Sequence, residues 1–204
     1  TYDLPEKGII PEIILRAFST PTATINSPLP INDAITKIEI VDGSTVIKSL
    51  TGNQAHALEM IHTRHEKAST DQNVDAVEGY DDFLLVLGKK INGVEYAPDF
   101  AKFSNPQIKI SWDYSITTTG FGANVQATTT PSMKFSVICK IVRDSSKYRP
   151  GYVKSSQIYT WTQAASATTD TEIPRGEKLL GLAIEAGYAD KFWTDDINQI
   201  KLDF

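Results

Sequence analysis

Residues 34–52 read Ala34-Ile-Thr-Lys-Ile-Glu-Ile-Val-Asp-Gly-Ser-Thr-Val-Ile-Lys-Ser-Leu-Thr-Gly52. Ile38 and Ile40 are separated by one charged residue, which is the period-two pattern of a strand with one buried face. Asp42-Gly43 tolerates the positive φ that both central positions of a tight hairpin turn require. We therefore predict a strand that turns at this dipeptide and pairs with a second strand over residues 45–50.

A short helix is predicted directly after this hairpin. Thr51-Gly-Asn-Gln54 has the form of a capping box, in which the threonine and glutamine side chains satisfy each other's backbone N–H groups. Ala55, Leu58 and Ile61 follow with helical spacing. The prediction is one helix near 52–66 in a chain otherwise made of strands.

Strand patterns continue along the rest of the chain. Phe83-Leu-Leu-Val-Leu87 is wholly apolar, which predicts a strand buried on both faces or an edge strand covered by another element. Asn92-Gly93 predicts a second hairpin turn. Because strands do not alternate with helices, we predict an all-β fold, an antiparallel β-sandwich. Period-two alternation occurs at Ile13/Leu15, Ile108/Ile110/Trp112, Val137/Cys139/Ile141, Ile158/Trp161 and Ile200/Leu202.

The β-rich pattern begins twice, over residues 8–52 and again over 152–204. Residues 144–151 are polar and contain Pro-Gly, which is typical of a linker. We predict one complete sandwich over 1–143 and only the opening strands of a second over 152–204. An incomplete sandwich exposes an open edge and an apolar face, which further chain or a neighbouring subunit must cover.

Charge and hydropathy exclude several functional classes. The net charge is −5 over 204 residues and basic residues do not cluster, so direct binding to nucleic acid is not predicted. No apolar run approaches the ~20 residues needed to cross a bilayer, and no signal-peptide pattern occurs, so we expect a soluble protein that is not Sec-exported. Because the first residue is Thr1 and not Met, we expect an upstream segment to have been processed or left out.

The sequence carries no recognisable reaction chemistry. A nucleophile elbow, a P-loop and a dinucleotide-binding glycine motif are all missing from it. Cys139 is the single cysteine and lies in an apolar run, so we expect it to fill core space. We predict no enzyme activity, no catalytic, cofactor-binding or metal-binding residues, and no cofactor.

Two groups of residues are the candidates for a metal-binding or acid–base site. His56, His62 and His65 lie on the predicted helix, but their spacing is not the i, i+4 pair of a zinc helix, so we expect a solvated polar face. Asp81-Asp82 and Asp195-Asp196 are adjacent carboxylates that point to opposite sides of an extended chain. Solvated loop positions are therefore expected for the aspartates.

Three passages resemble the double jelly-roll major capsid proteins of icosahedral viruses, a group that includes many tailless phages. The first is the strand, hairpin and helix of residues 34–65. The second runs from Asp82-Phe-Leu-Leu-Val-Leu-Gly to Phe103-Ser-Asn-Pro-Gln-Ile-Lys-Ile-Ser-Trp112. The third begins at Gly151-Tyr-Val-Lys-Ser-Ser-Gln-Ile-Tyr and includes Ile197-Asn-Gln-Ile-Lys-Leu202. The resemblance implies a tandem double jelly roll, with its second member incomplete at Phe204.

The resemblance also implies a function in assembly. It implies a structural major capsid protein that forms trimeric, pseudo-hexameric capsomers of an icosahedral shell. The implied partners are other copies of the chain, as homotrimers and neighbouring capsomers, with penton and minor capsid proteins as further candidates. The implied location is the virion, after synthesis in the host cytoplasm. Host, triangulation number and an internal membrane beneath the shell stay open.

A second interpretation starts from the aromatic residues. Phe192-Trp193 is expected in a loop, and with Trp112 and Trp161 it provides the ring surfaces on which sugars stack. The alternative function is therefore a carbohydrate-binding or receptor-binding β-sandwich, as in a phage fibre or a secreted adhesin.

Overall fold

The computed structural model describes residues 1–20, 31–64, 79–113, 132–143, 148, 149, 151–160, 170–173 and 179–184. None of the helices in these ranges is long and apolar enough to cross a membrane. The strands are β1 (Tyr2–Asp3), β2 (Ile9–Thr20), β3 (Ile35–Asp42), β4 (Thr45–Leu50), β5 (Gly79–Val86), β6 (Pro106–Trp112), β7 (Ser132–Val142) and β8 (Ser155–Ser156). The helices are α1 (Ile31–Ala34), α2 (Gly52–Thr63) and a 3-10 turn at Phe100–Lys102.

The strands form two sheets, so the chain is mostly β. The larger sheet has five strands in the order β1-β6-β3-β4-β8, and the smaller has three in the order β5-β2-β7. All the pairings are antiparallel except that of β8, which runs parallel to β4 through Lys48↔Ser155 and Ser49↔Ser156. The smaller sheet is built around the twelve-residue strand β2, which pairs with β5 on one side and β7 on the other.

The two sheets pack on one shared hydrophobic core. At one side β4 contacts β5, where the Lys48 Nζ lies 3.0 Å from the Val86 carbonyl oxygen. At the other side β6 faces β7, where the ring centroids of Trp112 and Phe135 are 5.0 Å apart. It follows that β3 lies over β2, and that β1 extends past β7. The fully buried side chains between the sheets include Ile13, Leu15, Ile38, Ile40, Phe83 and Ile108.

Register separates the inner from the outer face of the smaller sheet. Leu15 pairs with Phe83 and Val137, and all three side chains face the core. The next residues along the strands, such as Ile14 and Ile138, point outward and are exposed. The period-two pattern predicted from Ile13/Leu15 and Val137/Cys139 is therefore confirmed.

The predicted hairpin and helix are both present. Gly43 adopts φ of +58° in the turn between β3 and β4, where Asp42 pairs with Thr45. At the start of α2 the Gln54 N–H donates to the Thr51 hydroxyl, and the Thr51 N–H donates to the Gln54 side chain. The helix ends at Thr63, with Arg64 in the left-handed conformation. Helix α1, a single turn directly before β3, was not predicted.

Two local predictions were wrong. Asn92-Gly93 forms a turn in which the Gly93 N–H donates to the Lys90 carbonyl oxygen, but no pair of sheet strands flanks it. The turn lies in the loop between β5 and β6, and Asn92 donates its N–H to the Glu12 side chain. Ile158 was predicted in a strand, whereas residues 157–160 form neither strand nor helix. The predicted strand at Ile200/Leu202 lies outside the described residues.

Candidate functional site

Polar side chains close the outer edge of β5. In an antiparallel edge strand, alternate residues turn their N–H and C=O groups away from the sheet. Here the Leu84 N–H donates to the Glu59 carboxylate of α2 at 3.1 Å, and the Val86 carbonyl oxygen accepts from Lys48 of β4. Side chains from the preceding helix and hairpin thus occupy positions that a neighbouring strand would otherwise use. This confirms the expectation of an edge strand covered by another element.

Lys48 is the most perturbed ionisable group of this edge. Its side chain is buried, with Nζ donating to the Val86 carbonyl oxygen and, at 3.2 Å, to the Ser155 hydroxyl. Burial lowers the pKa of Lys48 to about 8, because the charged amine loses its hydration. Both contacts are to neutral oxygens. Lys48 therefore joins the two sheets and, through Ser155, strand β8.

His56 and Asp81 form a largely buried polar contact under α2. The His56 Nε2 lies 3.0 Å from the Asp81 carboxylate, and the imidazole ring stacks on Phe83 with centroids 4.9 Å apart. Asp81 is 4 % exposed. The expectations of a solvated histidine face and a solvated aspartate loop were wrong for this pair. Packing of α2 on β5 turns both side chains toward the interior, which sequence spacing alone does not reveal.

His62 is the other histidine within the described residues. Partial burial, followed by the positive charge of Lys48, lowers the pKa of His62. His65 lies outside the described residues. Within those that are described, no group of three or more His, Cys, Asp or Glu side chains is placed to hold a metal ion.

Asp82 points to the opposite side of β5 from Asp81, as predicted for adjacent residues of an extended chain. Its carboxylate accepts two hydrogen bonds from Arg16 of β2, at 2.6 and 2.7 Å. The Arg16 guanidinium also lies 4.6 Å from the ring centroid of Tyr80. Asp82 is thus part of the outer surface of the smaller sheet. Asp195-Asp196 lie outside the described residues.

Two regions of the described residues each contain several exposed apolar side chains. On the outer face of the smaller sheet, Ile138 is 51 % exposed and pairs with Ile14, which is 36 % exposed. Beyond β8, Leu179 and Leu180 are 55 % and 60 % exposed, and Leu182 and Ile184 are also exposed. Such patches are typical of surfaces that bind another protein surface.

The predicted aromatic site is only partly described. Trp112 is 47 % exposed and packs against Phe135 at the edge of the sandwich. Trp161 and Phe192-Trp193 lie outside the described residues. Only Trp112 of the three tryptophans therefore lies within the described residues.

Cys139 lies on the inner face of β7 and packs against the core. Burial raises the pKa of its thiol, which keeps the thiol protonated and weakly nucleophilic near neutral pH. This agrees with the expectation that the cysteine fills core space.

Lys48 and Glu59 were missed as members of a site. Lys48 occupies an inward position of a β-strand, and a lysine at such a position is a signal that could have been found. Glu59 lies on a helix surface and gives no such signal.

Comparison with known proteins identifies no relative: no protein-family model, curated protein or solved structure matches the chain.

Proposed function

We propose that this chain is a structural capsid protein whose first domain is a jelly roll and whose work is self-association. The proposed domain comprises residues 1–143. Residues 152–204 are proposed to open a second unit of the same kind, with the strand β8 at their start pairing with β4 of the first domain. The proposal includes trimeric capsomers in a virion shell, as the sequence resemblance implies.

The order of the strands is the observation that carries the proposal. A jelly roll has eight strands in two sheets. One sheet has the order first, eighth, third, sixth, and the other has the order second, seventh, fourth, fifth. When β1 is counted as the second strand of a jelly roll, the sheet β1-β6-β3-β4 has the order second, seventh, fourth, fifth. The smaller sheet β7-β2-β5 then corresponds to the eighth, third and sixth strands. Each of these positions is filled in chain order.

Exposed apolar surface supports self-association. Leu179, Leu180, Leu182 and Ile184 lie within six residues that form neither helix nor strand, and each is between 41 % and 60 % exposed. Burial of apolar surface contributes roughly 25 cal/mol per Å², so this stretch favours association once a complementary surface is available. A capsid subunit requires such surfaces, because every copy contacts several others.

Sedimentation analysis of the purified protein tests the proposal. We expect trimers or larger assemblies at micromolar concentration, and rings or shells by electron microscopy after concentration. The exposed Leu179 and Leu180 provide the physical reason. A strict monomer that binds glycans, and loses that binding on Trp193→Ala, would instead establish the carbohydrate-binding alternative.

A further inference from the structure

Three polar groups from distant parts of the chain meet on the outer face of the smaller sheet. The Lys140 Nζ of β7 donates to the side-chain oxygen of Asn92, which lies in the loop between β5 and β6. The Glu12 carboxylate of β2 accepts the Asn92 N–H and lies 3.7 Å from the Lys140 Nζ. We propose that Lys140 and Asn92 form an intramolecular isopeptide bond, with Glu12 as the group that transfers the protons. The inference goes beyond the proposed function and does not depend on it.

Strand register and loop anchoring bring the three groups together. Glu12 and Lys140 are direct cross-strand partners in β2 and β7, so their side chains lie side by side on one face. The loop that carries Asn92 is tied to β2 where it leaves β5, because the Leu87 N–H donates to the Pro11 carbonyl oxygen at 2.8 Å. Asn92 itself has a φ of +58°, which belongs to the turn that brings its side chain to this pair. The arrangement is therefore built by the fold and not by one surface side chain.

Glu12 occupies a place where a carboxylate can act as a base. Its side chain is only 10 % exposed, and Val86, its cross-strand partner in β5, is buried beside it. Limited contact with water strengthens the attraction between carboxylate and amine, and few water molecules compete for the transferred proton. Asn92, by contrast, is exposed, so the ammonia that the reaction releases can leave.

The amine is close enough to the carboxamide to react with it. A hydrogen bond to the Asn92 side-chain oxygen places the Lys140 nitrogen within about 4 Å of Cγ, near the separation from which reacting atoms attack. Because the folded chain holds both groups, the step is unimolecular and avoids the entropy cost of bringing two free molecules together.

The proposed reaction balances without an oxidant, a reductant or a co-reactant. Glu12 takes one proton from the Lys140 ammonium, and the neutral Nζ adds to Asn92 Cγ. Glu12 then gives that proton to Nδ2 and takes the second proton that Nζ sheds. The Cγ–Nδ2 bond breaks, the Cγ–Nζ amide remains, and ammonia leaves as ammonium with the proton that Glu12 returns.

Asn92 is followed by glycine, so a second reaction competes at the same carbon. Attack by the Gly93 backbone nitrogen would give a succinimide, with loss of the same ammonia molecule. In the structure the Gly93 N–H is engaged, because it donates to the Lys90 carbonyl oxygen at 3.0 Å. The Lys140 amine is already bonded to the carboxamide. The geometry therefore favours the lysine as the nucleophile.

Mass spectrometry of the purified 204-residue protein tests the proposal. We expect an intact mass that is lower than the sequence mass by one ammonia molecule. Trypsin does not cleave after a lysine whose amine is acylated, so digestion should give one branched peptide in which residues 91–102 are joined to residues 135–143. Full sequence mass after prolonged incubation would overturn the proposal. Loss of ammonia with the two peptides separate would also overturn it, because a succinimide has formed instead.

Three variants assign the roles. Lys140→Arg keeps the charge but lacks the nucleophilic amine, and Glu12→Gln keeps the size of the base but accepts no proton, so we expect the branched peptide to be lost from both. Lys134→Arg, on the same strand, is the matched control and should keep it. Circular dichroism checks that each variant is folded. A branched peptide that persists in Glu12→Gln would overturn the role of Glu12.

Heat denaturation provides a readout that does not depend on mass. Lys140 and Asn92 are 48 residues apart, so the bond closes a long loop and restricts the unfolded chain as a disulfide does. We expect the melting temperature of the natural protein to exceed that of Lys140→Arg by about 10 °C, and that of Lys134→Arg to stay close to the natural value. Equal melting temperatures for all three proteins would overturn the proposal. A monomer that contains the branched peptide would contradict the capsid function and support this inference.

Discussion

At the scale of single residues, Lys48 has an ionic state that depends on the fold. Lysine is rarely buried, because the charged amine must give up its hydration. In this chain the amine is buried with two neutral oxygen acceptors. Its pKa falls from 10.5 in a hydrated environment to about 8 in the folded protein. Folding therefore favours the neutral amine.

Lys48→Met should remove a specific part of the pH dependence of stability. Between about pH 8 and pH 10.5 the unfolded chain binds more protons at Lys48 than the folded chain, so stability rises with pH in this window. Below about pH 8 the Lys48 amine is charged in the folded protein as well as in the unfolded chain. The full free-energy cost of burying the charged amine then lowers the stability of the folded protein. We expect the stability of the natural protein relative to Lys48→Met to rise by about 3 kcal/mol between pH 7 and pH 10.5.

Urea denaturation of both proteins at a series of pH values measures this difference. The titration of tyrosines and other lysines affects both proteins alike and cancels. A difference that stays flat across the window would show that Lys48 is hydrated in the folded state.

At the scale of secondary-structure elements, α1 and α2 are held together by close backbone contact and polar side chains. A Cβ atom added at Gly52 would lie 2.2 Å from the Asn32 carbonyl oxygen. The Asn53 side chain donates to Asp33 at 2.8 Å, and Asn32 donates to Asn53. The first residue of α2 must therefore be small, for a reason that comes from a helix twenty residues earlier in the chain.

Gly52→Ala should destabilise the protein even though alanine is the better helix former. The new methyl group collides with backbone that has no rotamer to adopt, so we expect a loss of about 2–4 kcal/mol in the free energy of unfolding. Gly43→Asn is the matched control, because no atom lies within 4 Å of its Cβ position and asparagine tolerates the left-handed turn. Thermal and urea denaturation measure both. If Gly52→Ala stabilises the protein, helix propensity outweighs the contact and α1 is not packed against α2.

These elements show how much of the fold the sequence predicts. The hairpin at Asp42-Gly43 and the cap at Thr51 depend on neighbouring residues, and both were predicted correctly. Helix α1 depends on its contact with Gly52, and the burial of His56 depends on Asp81, in a strand that follows α2 along the chain. Long-range packing decides such features, and one sequence contains no direct signal for it.

At the scale of the whole molecule, the exposed apolar side chains divide between the sandwich and the stretch beyond it. Ile61 of α2 is 62 % exposed and Leu180 is 60 % exposed. Scattered exposed side chains of this kind are ordinary on protein surfaces. Leu180, however, lies among Leu179, Leu182 and Ile184, which are exposed as well. Ile61 has one exposed apolar neighbour in the sequence, Met60, whereas Leu180 belongs to a run of four exposed apolar side chains.

Leu180→Lys should therefore weaken the self-association that we propose, and Ile61→Lys should not. A charge placed in an apolar contact must be desolvated, so we expect the dissociation constant of the assembly to rise by ~10-fold or more for Leu180→Lys. The monomer fold should be unchanged in both variants by circular dichroism. Sedimentation equilibrium measures the constants. The same change in both variants would indicate a general effect of charge and would assign no interface to the Leu179–Ile184 stretch.

The position of β2 at the centre of the smaller sheet has a kinetic consequence. Ile13 pairs with Cys139, more than a hundred residues later, so this contact closes a long loop before any stabilising energy is gained. The hairpin of β3 and β4, followed by α2, involves only short loops and can form first, offering Lys48 and Glu59 as anchors for β5. We expect β7 to pair with β2 last during folding. Substitutions that shorten side chains of β7 should therefore accelerate unfolding and leave the refolding rate nearly unchanged in stopped-flow measurements.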